Sequence, residues 1–503
     1  MKKHFIMTAI KLSLAIILTI SLFSLSLPIQ PIANAASKLD TSEPVELTWY
    51  VPGNCQQADT DLVEEAVNEY LKDKINVTLN LKTRTWGSDF ENFMLAKVAA
   101  GENFDITFTA NWAMNYKEYS EMGAFVDITH MLDTYAPKTK ALLGKNILKG
   151  AEINGKIYAI PTYNSTFAKT SGIVLSKSLV QKYKVDTSKI KKLEDLEATL
   201  KIIKAKEPKM LGFYPFDYYG TDSIYKTLNY EKVIDSKIPG AVKKDGKSTK
   251  VINDFESSEA KSLFNLINKW YKSGYINKST VADSNYFEKN KSKIFAMYSN
   301  LYPTQDQEYS KHYYGSDVIH IALTKPSLET NNITGAMQAI SSSSKNPELA
   351  LMFLELMNTD EKLSNLINFG IEGIHYEKIN QNTQSSLYPD SEYYNPGTSW
   401  VFGNMSLAYL YPNQDSSMWT KIKKNIDNAV PSPLLGFTFN SKPVDKQVLK
   451  LESITNKYYN DLCIGKTNPS VTLPKMNKEL KNAGLQKVLT EMQKQVDTFK
   501  KKK

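Results

Sequence analysis

Between residues 45 and 109 the hydrophobic pattern switches repeatedly between the two-residue period of a strand and the 3.6-residue period of a helix, and this alternation constrains the fold more than any other feature of the chain. Residues 45–51 (V-E-L-T-W-Y-V) read as a strand stopped by Pro52-Gly53. Leu62, Val63, Ala66, Val67, Tyr70 and Leu71 recur at helical spacing, and Ile75, Val77, Leu79 and Leu81 then alternate with polar residues. Ser88 with Glu91 three positions on has the form of a capping box, and Gly101 stands where the helix they open would end. Residues 104–109 (F-D-I-T-F-T) are the next strand. Strand, helix, strand, helix, strand in this order implies an α/β fold with a parallel sheet and right-handed crossovers.

Ligands of such sheets bind beyond the carboxyl ends of the strands. The residues just past each expected strand are Asn54, the run from Arg84 to Trp86, and Asn111-Trp112. Two tryptophans therefore fall at strand tips, where they serve either as stacking faces for a ligand or as packing residues.

The first forty residues read as an export signal. Lys2, Lys3 and Lys11 precede or flank an apolar stretch at 12–27, Pro28 and Pro31 break it, and Ala33-Asn34-Ala35 offers the small residues a signal peptidase reads. Residues 1–35 are thus expected to be removed. No later segment carries about 18 apolar residues in a row, so the mature chain is expected to be soluble, secreted to the cell surface, or periplasmic where there is an outer membrane. No cysteine follows the signal to take a lipid, and Cys55 and Cys463, the only two, leave a single long-range disulfide open.

The formal charge of +9 points at first to nucleic acid or a membrane surface, but of 62 basic residues only Arg84 is an arginine. Scattered lysine without arginine is a poor fit to phosphate and base recognition, so no nucleic-acid partner is expected. His130, His312, His320 and His375 form no H-x-x-x-H pair, no G-x-S-x-G elbow occurs, and Gly465-Lys466-Thr467 lacks the first glycine of a phosphate loop and reads as a turn. No metal or cofactor is expected. With 53 acidic residues a carboxylate pair placed by the fold stays open, yet a large exported chain rich in aromatics and without catalytic signatures points to binding.

Beyond residues 158–161 (Y-A-I-P) the chain reads as crossing into a second lobe. Strands are expected at 172–175, 293–298, 318–323 and 333–340, and helices at 192–205 and 257–271. Another helix opens at Asn346-Pro347-Glu348, with proline in its first turn.

Several segments, taken in order, resemble the extracellular solute-binding proteins of ABC importers, in the carbohydrate-binding group that includes maltose-binding protein. They are T-W-Y-V-P-G (48–53), A-A-G-E-N-F-D-I-T-F-T (99–109), G-A-F-V-D-I-T (123–129), N-G-K-I-Y-A-I-P-T (154–162) and K-N-P-E-L-A-L-M-F-L-E-L-M (345–357). G-I-E-G (370–373), L-L-G-F-T-F-N (434–440), A-G-L-Q-K-V (483–488) and Q-K-Q-V-D (493–497) resemble its lipoprotein subgroup with an extra C-terminal domain. The missing lipidation cysteine departs from that subgroup. The resemblance implies a two-lobe periplasmic-binding-protein-like fold with crossing strands and a cleft between the lobes. It divides the chain into a first lobe at 40–161 plus 333–372, a second at 162–332 plus 373–433, and a C-terminal extension at 434–503 packed on a lobe.

The same resemblance implies a monomeric receptor that binds a small-molecule carbohydrate, an oligosaccharide, and delivers it to the membrane subunits of an ABC permease without covalent chemistry. A peptide or amino-acid receptor of the same fold, or a secreted polysaccharide-cleaving enzyme, is the alternative. Sugars present C–H faces and hydroxyls, so their sites pair aromatic platforms with amides and carboxylates. The aromatic candidates are Trp86, Trp112, Tyr163, Tyr302 and Trp400; the polar ones are Asn111, Asn164, Asp217, Glu372 and Asn404. Residues 213–219 (F-Y-P-F-D-Y-Y) either line the cleft or pack beneath it. Arg84 either clamps a ligand carboxylate or forms a surface ion pair.

Overall fold

A computed structural model describes residues 42–246, 248–308, 314–386 and 393–501; the expected signal segment and His312 lie outside the described residues. The alternation between 45 and 109 becomes the parallel part of a five-stranded sheet. Strand Val45–Gly53 pairs in parallel with Val77–Thr85 on one side and Ile106–Thr109 on the other. Helices Thr60–Lys72 and Ser88–Ala100 make the two crossovers, the first burying Val63, Val67 and Leu71. The sheet as a whole is mixed, because Met337–Ile340 runs antiparallel to Ile106–Thr109, and Ala159–Pro161 antiparallel to Met337–Ile340. Residues 334–336 lie beside the tips of the parallel strands, where Thr334 and Ala336 accept N–H bonds from Asn111 and Thr162, so the Met337 strand enters from the tip end and must run against its neighbour.

A second, six-stranded sheet is built around Ala168–Ser176. Ile294–Leu301 lies antiparallel on one edge of that strand and carries Leu211–Tyr214 in parallel; Val318–Ala322 and Ser327–Leu328 share the other edge. Its core includes Ile173, Leu175, Phe213, Phe295 and Tyr298.

Local chemistry moves some expected boundaries. Ser88 is already helical and caps nothing: the cap position is Gly87 at φ 79°, and Asp89 instead accepts from the Thr85 N–H and the Arg84 guanidinium. The expected strand at 333–340 begins only at Met337, because Thr330–Ile333 winds one helical turn in which the Thr334 hydroxyl bonds the Thr330 carbonyl. The helix expected over 192–205 is split into a short 3₁₀ turn, Leu193–Leu196, and an α-helix, Glu197–Lys206, with Asp195 accepting the N–H groups of Lys191 and Lys192.

Three helices, Asp445–Cys463, Pro469–Asn482 and Leu485–Lys501, close the chain. Their fully buried Leu451, Leu480 and Met492 share one core with Phe255, Phe264 and Ile267 of the second-sheet lobe. The Gly465-Lys466-Thr467 turn joins the first two of these helices. Gly465 has φ 77°, and a Cβ there would stand 2.4 Å from the Ile267 carbonyl oxygen, so the turn admits only glycine. Both cysteines are free thiols; Cys55 is exposed, and burial pushes the Cys463 thiol up to about 12. Among the described residues no helix is long and apolar enough to cross a membrane.

Candidate functional site

The parallel strands of the first sheet end at Thr85 and Thr109, and each delivers a tryptophan just past its tip. Trp86 and Trp112 stack with ring centroids 5.8 Å apart and planes 25° apart. Trp400, from the 3₁₀ turn Ser399–Val401, joins them at 5.2 Å from Trp86 and 6.2 Å from Trp112. All three rest on Phe108, which is fully buried at about 6 Å from each ring. Trp112 is held by a 2.8 Å bond from its indole N–H to the Gly335 carbonyl, yet its side chain stays 53% exposed. Trp112 is thus fixed in place and left open to solvent.

The Trp112 ring looks into a cavity of about 550 Å³. The opposite wall comes from the second sheet and its loops: Lys169 in the Ala168–Ser176 strand, the Asp217–Asp222 loop after Leu211–Tyr214, and Ser299, Asn300 and Tyr302 at the end of Ile294–Leu301. Asn331, Asn332, Gly335 and Ala336 form the edge where the chain returns to the first sheet.

The loop at 213–219 does both things expected of it. Phe213, Tyr214 and Phe216 are buried in the core, whereas Tyr218 and Tyr219 line the cavity, Tyr219 being 62% exposed. Asp217 in this loop accepts N–H bonds from Thr221 at 2.9 Å and Asp222 at 3.1 Å, and the Thr221 hydroxyl at 3.2 Å. Burial, followed by the charge of Asp222, still raises its carboxyl to about 6. Burial acts on Asp222 in the same direction, but Lys226 at 2.8 Å and the Asn300 amide at 2.6 Å hold that carboxyl below its ordinary range.

The Asp217 shift carries a sign. Its folded pKa, about 6, lies above the ordinary aspartate value, so the folded chain binds a proton between about pH 4 and 6 that the unfolded chain does not. The resulting stability is fully present below pH 4 and is lost as pH rises through 6. Asp217→Asn, which keeps an acceptor for the loop N–H groups, is therefore expected to unfold about 1–3 kcal/mol later than the parent at pH 7.5 and to lose that advantage at pH 4. Urea denaturation at the two pH values measures it; a variant-to-parent difference independent of pH would refute it.

Six of the residues selected from sequence line the cavity: Asn111, Trp112, Asn164, Asp217, Tyr302 and Trp400. Asn164 is buried with its amide turned into its own loop, bonded to Thr162 and Thr166. Trp86 stands behind Trp112 and Trp400 as their support. The other four lie off the lining. Arg84 pairs with Asp89 at 2.8 Å and lies 4.0 Å over the Phe93 ring, so the ion-pair reading describes it and the clamp reading does not. Tyr163 is packed on Phe167 and Trp419. Glu372 pairs with Lys378 at 3.5 Å. Asn404 is buried, capping the Met405–Leu407 turn and bonding the Asn358 carbonyl, and its neighbour Met405 takes the place at the cavity.

Sequence reasoning passed over Lys169, Asp222, Asn300, Asn331 and Asn332. Asn300 had a usable signal, since it lies at the end of an expected strand two residues before Tyr302. Lys169 had none, being one lysine among many.

Two α/β sheets whose strand ends and loops face one ligand-sized cavity define a solute-binding protein. The chain belongs to the bacterial extracellular solute-binding protein family, which it matches over residues 65–373. Residues 433–501 match a further domain described only as of unknown function. The chain is similar to a protein of Streptococcus pneumoniae serotype 4 described as a carbohydrate ABC transporter substrate-binding protein, with 27% identity over 93% of this chain and 94% of the relative. It is also similar to the crystal structure of the N-glycan transport solute-binding protein NgtS of Streptococcus pneumoniae, with TM-score 0.79, 27% identity, and coverage of 91% of this chain and 100% of the other. Against NgtS in complex with Man5GlcNAc the TM-score is 0.63, at 27% identity over 91% and 99% of the two chains.

Proposed function

We propose that this chain is the extracellular substrate-binding component of an ABC importer, capturing an oligosaccharide between its two lobes and handing it to the membrane permease subunits. The observation that carries the reading is the cavity itself, where a preformed tryptophan face lies across from amides, carboxylates and an ammonium. That combination suits a ligand with apolar C–H faces and a rim of hydroxyls. A peptide receptor would instead need fixed charges at the two ends of its cleft. The glycan named in the NgtS complex points the same way.

In this reading the lobes are 40–161 with 333–372 and 162–332 with 373–433, the extension from 434 braces the second, and the receptor acts as a monomer exported by residues 1–35. Ligand stabilises a closed state that the permease recognises. The test is thermal unfolding of the mature protein against neutral oligosaccharides, acidic sugars and peptides, with chromatography of each mixture afterwards and scattering on any hit. Ligand at 100 times its dissociation constant is expected to add about 2.7 kcal/mol, with the sugar recovered intact and a smaller radius of gyration. Cleaved sugar, or a shift with peptides alone, would overturn the reading.

A further inference from the structure

Lys169 lines the cavity as a partly buried side chain, and among the described residues no acceptor or carboxylate partners its ammonium. The carboxylates around it are already engaged. Asp222 pairs with Lys226 at 2.8 Å, Glu329 pairs with Lys244 at 2.6 Å, and Asp217 is held by the N–H groups of its own loop. Burial pushes the Lys169 ammonium down from its ordinary range; Asp222, Glu329 and Asp217 oppose that shift, and Lys226 adds to it.

Resting on the carbohydrate reading above, we infer that Lys169 donates hydrogen bonds to ligand oxygens in the cleft, and that the charge balance around it makes the ligand an uncharged glycan and excludes one bearing a carboxylate. Three ammonium groups, Lys169, Lys226 and Lys244, already face the carboxylates of Asp217, Asp222 and Glu329, and Asp235 acts on Lys226 as well. A ligand carboxylate would add negative charge to a set that holds no excess of ammonium and would lose its water beside Asp217 and Asp222. A hydroxyl or ring oxygen fills the vacant donor site of Lys169 without adding charge. The cavity lining also contains no arginine, the residue whose planar fork matches a carboxylate.

The experiment uses the mature full-length protein at pH 7.5 and two probe sets: neutral Man5GlcNAc, maltopentaose and raffinose, and acidic trigalacturonate and 3′-sialyllactose. Thermal shifts identify binders, and calorimetry measures affinities for the parent, Lys169→Met and Lys169→Gln. Both variants are first checked for unfolding midpoints no lower than the parent's. The expected result is binding among the neutral probes only, with affinity falling 10-fold to 100-fold in both variants. Tighter binding of an acidic probe, or a change under twofold in both variants, would overturn the inference while leaving carbohydrate binding intact. No shift of the parent with any probe would overturn the carbohydrate reading and this inference with it.

Discussion

Replacing Trp112 with alanine is expected to weaken oligosaccharide binding by at least about 30-fold, a loss of about 2 kcal/mol or more. The ring is 53% exposed, so a bound sugar would take most of its apolar area out of water. Its indole N–H bond to the Gly335 carbonyl and its stack on Trp86 fix the ring before ligand arrives, so little ordering entropy is spent on binding. The same exposure means that the unliganded protein loses little when the side chain goes, and its unfolding midpoint is expected to move by no more than a few degrees. Trp86→Ala is the contrasting control. Trp86 is half-buried between Phe108, Trp112 and Trp400, and its removal is expected to lower both affinity and stability. Calorimetric titration with the strongest binder from the thermal screen measures both. A Trp112→Ala affinity within threefold of the parent would mean that ligand avoids the tryptophan face.

The strand-tip rule shows how much of this site was legible in the sequence. It needed only the alternating periods at 45–109, and it located Asn111, Trp112 and Trp86, because the carboxyl end of a parallel strand is where the next residue must leave the sheet. Trp400 and Tyr302 entered through the family resemblance, since nothing in their local pattern marks a cleft. Asn331 and Asn332 lie just before an expected strand, in a stretch with no pattern of its own. The apolar content of 333–340 drew attention from the side-chain hydrogen bonding that turns 330–333 into a helix. The rarity of Arg84 suggests a clamp, but Asp89 five residues on, at the start of the following helix, is a visible partner for the ion pair weighed against it. Glu372 was placed by a loop motif, and Lys378 takes its carboxylate. Long-range juxtapositions such as Lys169 against Asp217 and Asp222 depend on how a strand and a loop meet, which local periodicity does not encode.

Ending the chain after Pro433 is expected to abolish cooperative folding of the second lobe and leave a protein that aggregates, although no residue lining the cavity is removed. The C-terminal helices place Leu451, Leu462, Leu480, Val488, Met492 and Val496 at zero exposure, in one core with Phe255, Phe264 and Ile267. At about 1.5–3 kcal/mol for each such side chain, the burial lost is about 10 kcal/mol or more, comparable with the whole stability of a typical domain. Polar ties go with it: the Tyr459 and Ser223 hydroxyls at 2.8 Å, and the Asn268 amide to the Gly465 and Thr467 carbonyls at 2.8 and 3.0 Å. A milder version separates bracing from binding. Met492 packs so closely on Gly240, at φ 129°, that a Cβ there would lie 2.3 Å from its sulfur, and Met492→Ala opens that contact. This variant is expected to lose about 2–5 kcal/mol in urea denaturation while the folded protein keeps its sugar affinity within twofold. A truncated chain that still unfolds cooperatively at the parent's midpoint would show that the extension is an independent domain, and a loss of affinity in Met492→Ala would show that it reaches the site through the lobe it braces.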